Sequence, residues 1–477
     1  MNIIQAQKNV SGSALVYGLV IMFAVSVILS SMIGFIVSQT KYGFQSVSKQ
    51  SALQISESGI YFYRWYLAHM VEGRTAKQIQ NFWETGNPYG VATPYEAEYF
   101  DPGGSAIGKY HLEVTKPATG STIVTIISTG WTYKYPNIKR IVKVRFRRPS
   151  WSEYALLGNE MQRMGTGTDV NGKVFVNNGV HFDGVARNTV SAAVSTYYDN
   201  DSDVHAWKPG VWTSWSNEYN TDMNSKVFLS GKYFPKPTFD FTAVTSDLNY
   251  IKSETKTGVA SNGCGSIGCY FDNTKKGRHI ILKADGTFDI RTVDKFNNPG
   301  NGNCGNNCTN EITSYSGGWS TYSIPDNGAI FVENNVWLEG TLNNKRVTVV
   351  AASLATGTTV NLYIQKNILY AHSDGSETLG IISENDIDIT KNSNNILTIN
   401  AALLAQNGKV GRTNYGNTKS TITVYGAIAT NKRYGFAYTN GTGYITRNLY
   451  YDNNLLYSPP PYFPTGTQYL MDLWEEI

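Results

Sequence analysis

Glu384, Asp386 and Asp388 stand at alternate positions, a spacing that suits acid–base chemistry. On one strand, residues at i, i+2 and i+4 share a face. Paired carboxylates are what glycoside cleavage requires. The same stretch also reads as a surface strand, because Asp386-Ile387-Asp388-Ile389 alternates acid with apolar residues. A solvated outward face is the preferred expectation, so no catalytic residue is assigned. A second acidic group, Asp199-Asn200-Asp201-Ser202-Asp203, offers closely spaced oxygens of the kind calcium takes. It lacks the full loop with a closing glutamate, so a polar turn is expected and no metal site is assigned. The histidines (His69, His111, His181, His205, His279 and His372) include no close metal-binding pair. Nucleophile-elbow and phosphate-loop motifs do not occur. No cofactor is implied.

Cys264, Cys269, Cys304 and Cys308 lie in Gly/Asn-rich stretches. In an oxidising compartment an even set suggests disulfides, with Cys264–Cys269 and Cys304–Cys308 as one of the possible connectivities. A four-cysteine zinc site is the rival reading. Trp207, Trp212 and Trp215, with Tyr219, form an aromatic group in a polar loop. Such rings stack on sugars or insert into partners when exposed, and form a local core when covered. They are the candidate ligand surface.

Composition sets the frame for these groups. The chain has 477 residues, 45 of them glycine and 32 tyrosine, with only 16% charged. That balance suits turn-rich β structure. Residues 1–150 carry an excess of positive charge, most of it in Lys139–Arg148. Along a strand, Val142, Val144 and Phe146 face one way and Lys143, Arg145 and Arg147 the other. A nucleic-acid stripe would have that pattern, but no aromatic residue interleaves on the basic face. A solvated strand face is expected, and nucleic acid is not an expected partner.

The elements that position these groups begin with a helix. Ala14 to Val37 is a 24-residue run without charge. That is long enough to cross a bilayer as a helix, and too long for the apolar part of a cleaved signal peptide. Membrane lipid is therefore an expected partner, with the bulk of the chain outside the cytoplasm. Lys8 favours an inside amino terminus, while Lys41 and Lys49 nearly balance it. The helical pattern continues to His69 without proline, with Phe44, Val47, Ile55, Phe62 and Tyr66 on one face.

Ser11-Gly12-Ser13-Ala14-Leu15-Val16, the long helix, and Ala52-Leu53-Gln54-Ile55-Ser56-Glu57-Ser58-Gly59 together resemble the N-terminus of type IV pilin-like proteins, especially PilX-type minor pilins. The resemblance covers about the first 150 residues. It implies cleavage by a prepilin peptidase between Gly12 and Ser13, and contacts with other pilin subunits. Tyr17 stands where major pilins carry the glutamate that assists assembly. The resemblance thus implies a minor or tip subunit rather than a main filament subunit.

Four segments follow from the patterns. Residues 1–70 are the transmembrane and amphipathic helix. Residues 71–150 are a connector and an antiparallel meander, with strands at Lys109–Thr115, Thr122–Thr132 and Ile138–Arg147. Residues 151–322 start a β-helix carrying Cys- and Trp-rich insertions. Residues 323–477 continue it and end in a proline-rich cap. Asn385, Asn407 and Asn431, spaced by 22 and 24 residues, point to a solenoid, with a right-handed parallel β-helix the best fit. The expected fold is thus mainly β with one long N-terminal helix. The expected role is that of a membrane-anchored, extracytoplasmic structural or adhesive surface protein, not an enzyme. A cell-surface polysaccharide-binding or polysaccharide-cleaving protein is the alternative.

Overall fold

The computed structural model describes residues 11–118, 121–215, 226–241, 244–265, 267–298, 308–355 and 357–477. The chain is mainly β with one long N-terminal helix, α1 (Ser11–Val71). The first half of α1 touches nothing: its most apolar window is 0% buried. Leu19, Phe23 and Phe35 project outward. An apolar surface of this extent is unstable against water.

The second half of α1 is a different object. Ser48, Ala52, Ile55, Ser56, Gly59, Ile60, Tyr63, Leu67 and Val71 form a buried stripe at three- and four-residue steps. The expected face is therefore corrected in part. Ile55 is buried and Phe62 and Tyr66 are half-buried, but Phe44 and Val47 are exposed. The reason is close approach at the small residues. A Cβ on Gly130 would lie 2.3 Å from the Ala52 carbonyl oxygen and 2.4 Å from the Ser56 nitrogen. Only glycine lets the two backbones meet there.

The surface that α1 covers is an antiparallel sheet of β1 (Tyr95–Phe100), β2 (Ala106–Thr115), β3 (Ile123–Thr132) and β4 (Tyr135–Arg147). The connector before it holds a short helix, α2 (Ala76–Glu84). Thr75 and Gln78 form a reciprocal capping box at its start. The fifth strand comes from the far end of the chain: Leu470–Glu476 pairs antiparallel with β4. This corrects the expected C-terminal cap. The proline-rich segment runs along a flank of the β region, where the Thr348 hydroxyl donates to the Pro461 carbonyl oxygen. The chain then returns to the first sheet.

Among the described residues, five of the remaining strands form a three-stranded sheet and a two-stranded hairpin, and the other 21 make one large sheet. Most of its ladders are parallel. An antiparallel hairpin around Gly286, Gly277–Leu282 with Thr287–Phe296, and the following strand Ile312–Ser323 make it mixed. One parallel column runs Ile330, Val349, Ile381, Leu403, Ile428, each beside the next. The column does not end at Ile428. It continues to Leu156, then Val174, Val190 and Lys232. The strands that open this region in sequence thus stack after the strands that close it. Growth along the chain from residue 151 to 477, as expected from the repeat, is corrected. The rungs that come first in sequence carry apolar residues on both faces, Leu156 and Val174 on one and Leu157 and Phe175 on the other, and cover an end that the last rungs would otherwise leave open.

Both faces of this column are buried. Ile330, Val349, Ile381, Leu403 and Ile428 point into the main core. Phe331, Val350, Ile382, Leu404 and Ala429 point the other way, into a second layer. That layer is completed by Leu248 and Ile251 of helix α3 (Val244–Lys256) and by Leu455 and Phe463. Burial on two sides explains why these strands read as continuous apolar runs.

Candidate functional site

Three short parallel strands bring Arg163, His181 and Trp212 into register. Their neighbours Met164, Val180, Phe182 and Val211 face the main core. Alternation therefore sends Arg163, His181 and Trp212 outward. A hairpin, Thr196–Asp199 with Ala206–Pro209, belongs to the same region. Its loop holds the acidic group, and Val204 and His205 donate their N–H groups to the Asp201 carbonyl. The expected polar turn is there, but its carboxylates point at partners rather than solvent. Asp201 pairs with Arg163 at 3.0 Å and with Arg433. Asp203 pairs with Arg163 at 2.6 Å.

His181 lies at the centre and is 1% exposed. Its ring stacks on Trp212 with centroids 3.9 Å apart. Nε2 is 2.9 Å from Asp183 Oδ2, and Nδ1 is 3.7 Å from Asp199 Oδ2. The Trp212 indole donates to the Tyr197 hydroxyl, which donates to Asp199. Thr213 and the Ser214 N–H fix Asp183 from the other side. Burial pushes the Asp183 carboxyl up, but His181 and Ser214 outweigh it and hold it at about 2. Burial likewise raises Asp201, yet the Arg433 and Arg163 guanidiniums leave it below the usual carboxylate range. Hydrogen bonding to Arg163 holds Asp203 at about 2. Burial drives the Tyr197 hydroxyl well above its ordinary value.

The predicted aromatic group divides. Trp212 is part of the buried cluster. The Trp215 indole donates to the Asp183 carbonyl at 3.0 Å. Trp207 is 71% exposed and meets Tyr198 edge-on. Tyr219 lies outside the described residues. Beside the cluster opens a cleft of about 840 Å³, lined by Arg163, Asp203, Lys432, Arg433 and Tyr438 among others. Its walls are charged.

The carboxylate row is corrected. Glu384 and Asp386 lie in a bend between strands Thr378–Ser383 and Ile387–Ile389, so the three acids do not share one strand face. Each is committed. Glu384 accepts from the Ser353 N–H, Asp386 from the Lys409 N–H, and Asp388 from Tyr415, Asn310 and Thr413. Asp388 is buried rather than solvated, and burial raises its carboxyl above the ordinary range. The basic strand is corrected too. Arg145 and Lys143 pair with Asp472 and Glu475 of the C-terminal strand, and Arg140 with Glu476. That strand neutralises the face instead of leaving it to solvent.

Cys264 and Cys269 form a disulfide. Cys308 is also disulfide-bonded, and Cys304 lies outside the described residues. Gly12 and Ser13 fall in the first turn of α1. His181 was not singled out by spacing in the sequence. Its signal is the alternation Val180-His181-Phe182-Asp183, which places His181 and Asp183 on one outward face.

No protein-family model matches the chain, and no curated protein matches it. Among solved structures it is similar to the competence-associated pilin ComZ from Thermus thermophilus, at 14% identity. The match covers 90% of this chain and 97% of that one, with a TM-score of 0.28. So loose a superposition establishes neither fold nor role.

Proposed function

We propose that this chain is a membrane-anchored, extracytoplasmic pilin-like surface protein, a minor or tip subunit with a β-helical head. The observation that carries the reading is the divided burial of α1. Its N-terminal half is apolar and uncovered, while its C-terminal half packs through Ala52, Ser56 and Gly59 on an antiparallel sheet. A stem of that kind needs lipid at one stage and apolar neighbouring helices at another. Tyr17 in place of an assembly glutamate supports an accessory place over a repeating one. The right-handed parallel β-helix reading of the head is supported by its parallel columns and by side chains stacked at equivalent bends. The role is structural or adhesive, without catalysis.

Cell fractionation tests this. The mature chain is expected in sheared surface filaments, starting at Ser13 and dependent on a prepilin peptidase. Retention of residues 1–12 in cells with active peptidase, with all protein in the membrane fraction, would overturn the pilin reading. A polysaccharide-binding head is the second reading, favoured by exposed Trp207 on the hairpin whose loop residues Asp201 and Asp203 line the polar cleft. Cleavage of polysaccharide is less well supported, since Glu384, Asp386 and Asp388 are committed to structural hydrogen bonds. Binding of envelope glycans that is unchanged by Trp207→Ala would remove this site from that reading.

A further inference from the structure

The cluster around His181 has a property that its hydrogen bonds do not explain. His181 is 1% exposed, yet neither ring nitrogen has a well-directed hydrogen-bond partner. A buried polar atom left in that condition is costly. Asp199 does not satisfy Nδ1, because 3.7 Å is too long for a hydrogen bond. A neutral ring with its proton on Nε2, toward Asp183, turns the Nδ1 lone pair toward a carboxylate oxygen. Two lone pairs then face each other across a gap.

From this the geometry points to a divalent transition-metal site formed by His181 Nδ1, Asp199 and Asp201, with zinc as the fitting ion. The donor atoms of these three residues lie within 4.8 Å of one another. Zinc–nitrogen and zinc–oxygen bonds of about 2.0–2.2 Å would bring the three donors to roughly 3.3–3.6 Å of one another. One imidazole with two carboxylates suits zinc better than calcium, which prefers oxygen alone.

The surroundings have the form of a supporting shell. Asp183 lies against the far nitrogen of His181, the usual orienting partner of a ligating imidazole. Tyr197 donates to Asp199, and Arg163 and Arg433 hold Asp201. Four carboxylates surround the cluster: Asp201 and Asp203 pair with these two guanidiniums, and Asp183 and Asp199 lie against the His181 ring. Lys208, 4.4 Å from the Trp212 ring centroid, adds one more positive charge and leaves the balance negative.

The test uses the full-length protein in detergent, stripped with chelator and titrated with zinc alone. One zinc per chain is expected by equilibrium dialysis. Asp183→Asn should weaken binding about 10–100-fold, as loss of an orienting partner does. His181→Gln and the near-isosteric Asp199→Asn should weaken it at least as much. His111 sits between Glu96 and Glu113 and could bind zinc at the surface, so His111→Gln is the background for every measurement. X-ray absorption in that background should show nitrogen and oxygen neighbours, including one imidazole, and no sulfur. It decides the matter even if the His181 variant misfolds. Absence of saturable binding, sulfur neighbours, equal binding by a folded His181→Gln protein, or tighter binding of calcium than zinc would each overturn the assignment.

Discussion

Ser56 and Ser128 exchange hydrogen bonds across the helix–sheet interface: each hydroxyl donates to the other's carbonyl oxygen at 2.7 Å. The pair is fully buried. It sits where the α1 backbone comes closest to β3, beside Gly59 and Gly130. The residues that resemble a pilin stem are therefore also those that let the sheet approach. Gly130→Leu should overpack this contact and destabilise the domain by about 1–3 kcal/mol or more. Ser128→Ala, which removes one donor, should cost about 1 kcal/mol. Chemical denaturation in detergent measures both, and equal effects would mean that close approach does not limit the interface.

Removing residues 470–477 should uncover Arg140, Lys143 and Arg145, whose acidic partners lie on that strand. The truncated protein is expected to bind polyanions such as heparin or DNA, with affinity falling steeply as salt rises. The intact protein should bind far less. Equal binding by the two proteins would show that the strand does not mask the basic face.

Glu377 and His372 should give a stability maximum in mild acid. Their atoms Oε1 and Nδ1 are 2.9 Å apart. Glu377 is buried, which raises it, but the Asn344 N–H, His372 and Ser376 outweigh burial and leave it below 4.5. His372 is raised above 6.5 by its bond to Glu377. A depressed carboxyl stabilises above its unfolded value and loses that contribution as pH falls. A raised imidazole stabilises below its unfolded value and loses its contribution as pH rises. Both are fully present between about 4.5 and 6.5. The stability advantage of the native chain over His372→Gln should peak in that window. An advantage that keeps rising to pH 8 would contradict the pairing.

Asn159 should join the early and late strands of the large sheet. It donates to Asn431 and accepts from Asn177, both at 2.8 Å. Asn159→Ala leaves the Asn431 carbonyl and one Asn177 proton without these partners, at a cost of about 1–3 kcal/mol. Hydrogen exchange should report loosening in both Val174–Val176 and Thr418–Thr430. Loosening confined to one of them would mean that the two parts of the column open separately.

What the sequence disclosed follows the range of each interaction. The extent of α1, the meander and the spacing near Asn385 and Asn407 depend on local periodicity, and they were legible. The order of stacking was not. Ile428 lies beside Leu156, and no local pattern specifies a ladder partner so distant in sequence. The asparagine column shows the same limit. Asn431 aligns with Asn159 and Gln406 rather than Asn407, a one-residue offset that repeat spacing could not resolve. The acidic C-terminal strand was within reach, because Asp472, Glu475 and Glu476 complement Lys143, Arg145 and Arg140. At the candidate site, the acidic loop and tryptophans were visible as composition. Their assembly around His181 required three strands and a hairpin to meet.

The return of the chain to β4 has a mechanical meaning. The polypeptide leaves the first sheet after Arg147 and re-enters it at Leu470, and these two residues are paired neighbours. A pull on the head therefore enters the sheet through two adjacent strands, drawn in the same direction along their length. Neither is peeled from the other. The load spreads as shear over the hydrogen bonds between β4 and β3, and from there into the buried half of α1. Tension between a held head and an anchored stem is thus carried by many bonds at once instead of being taken one bond at a time.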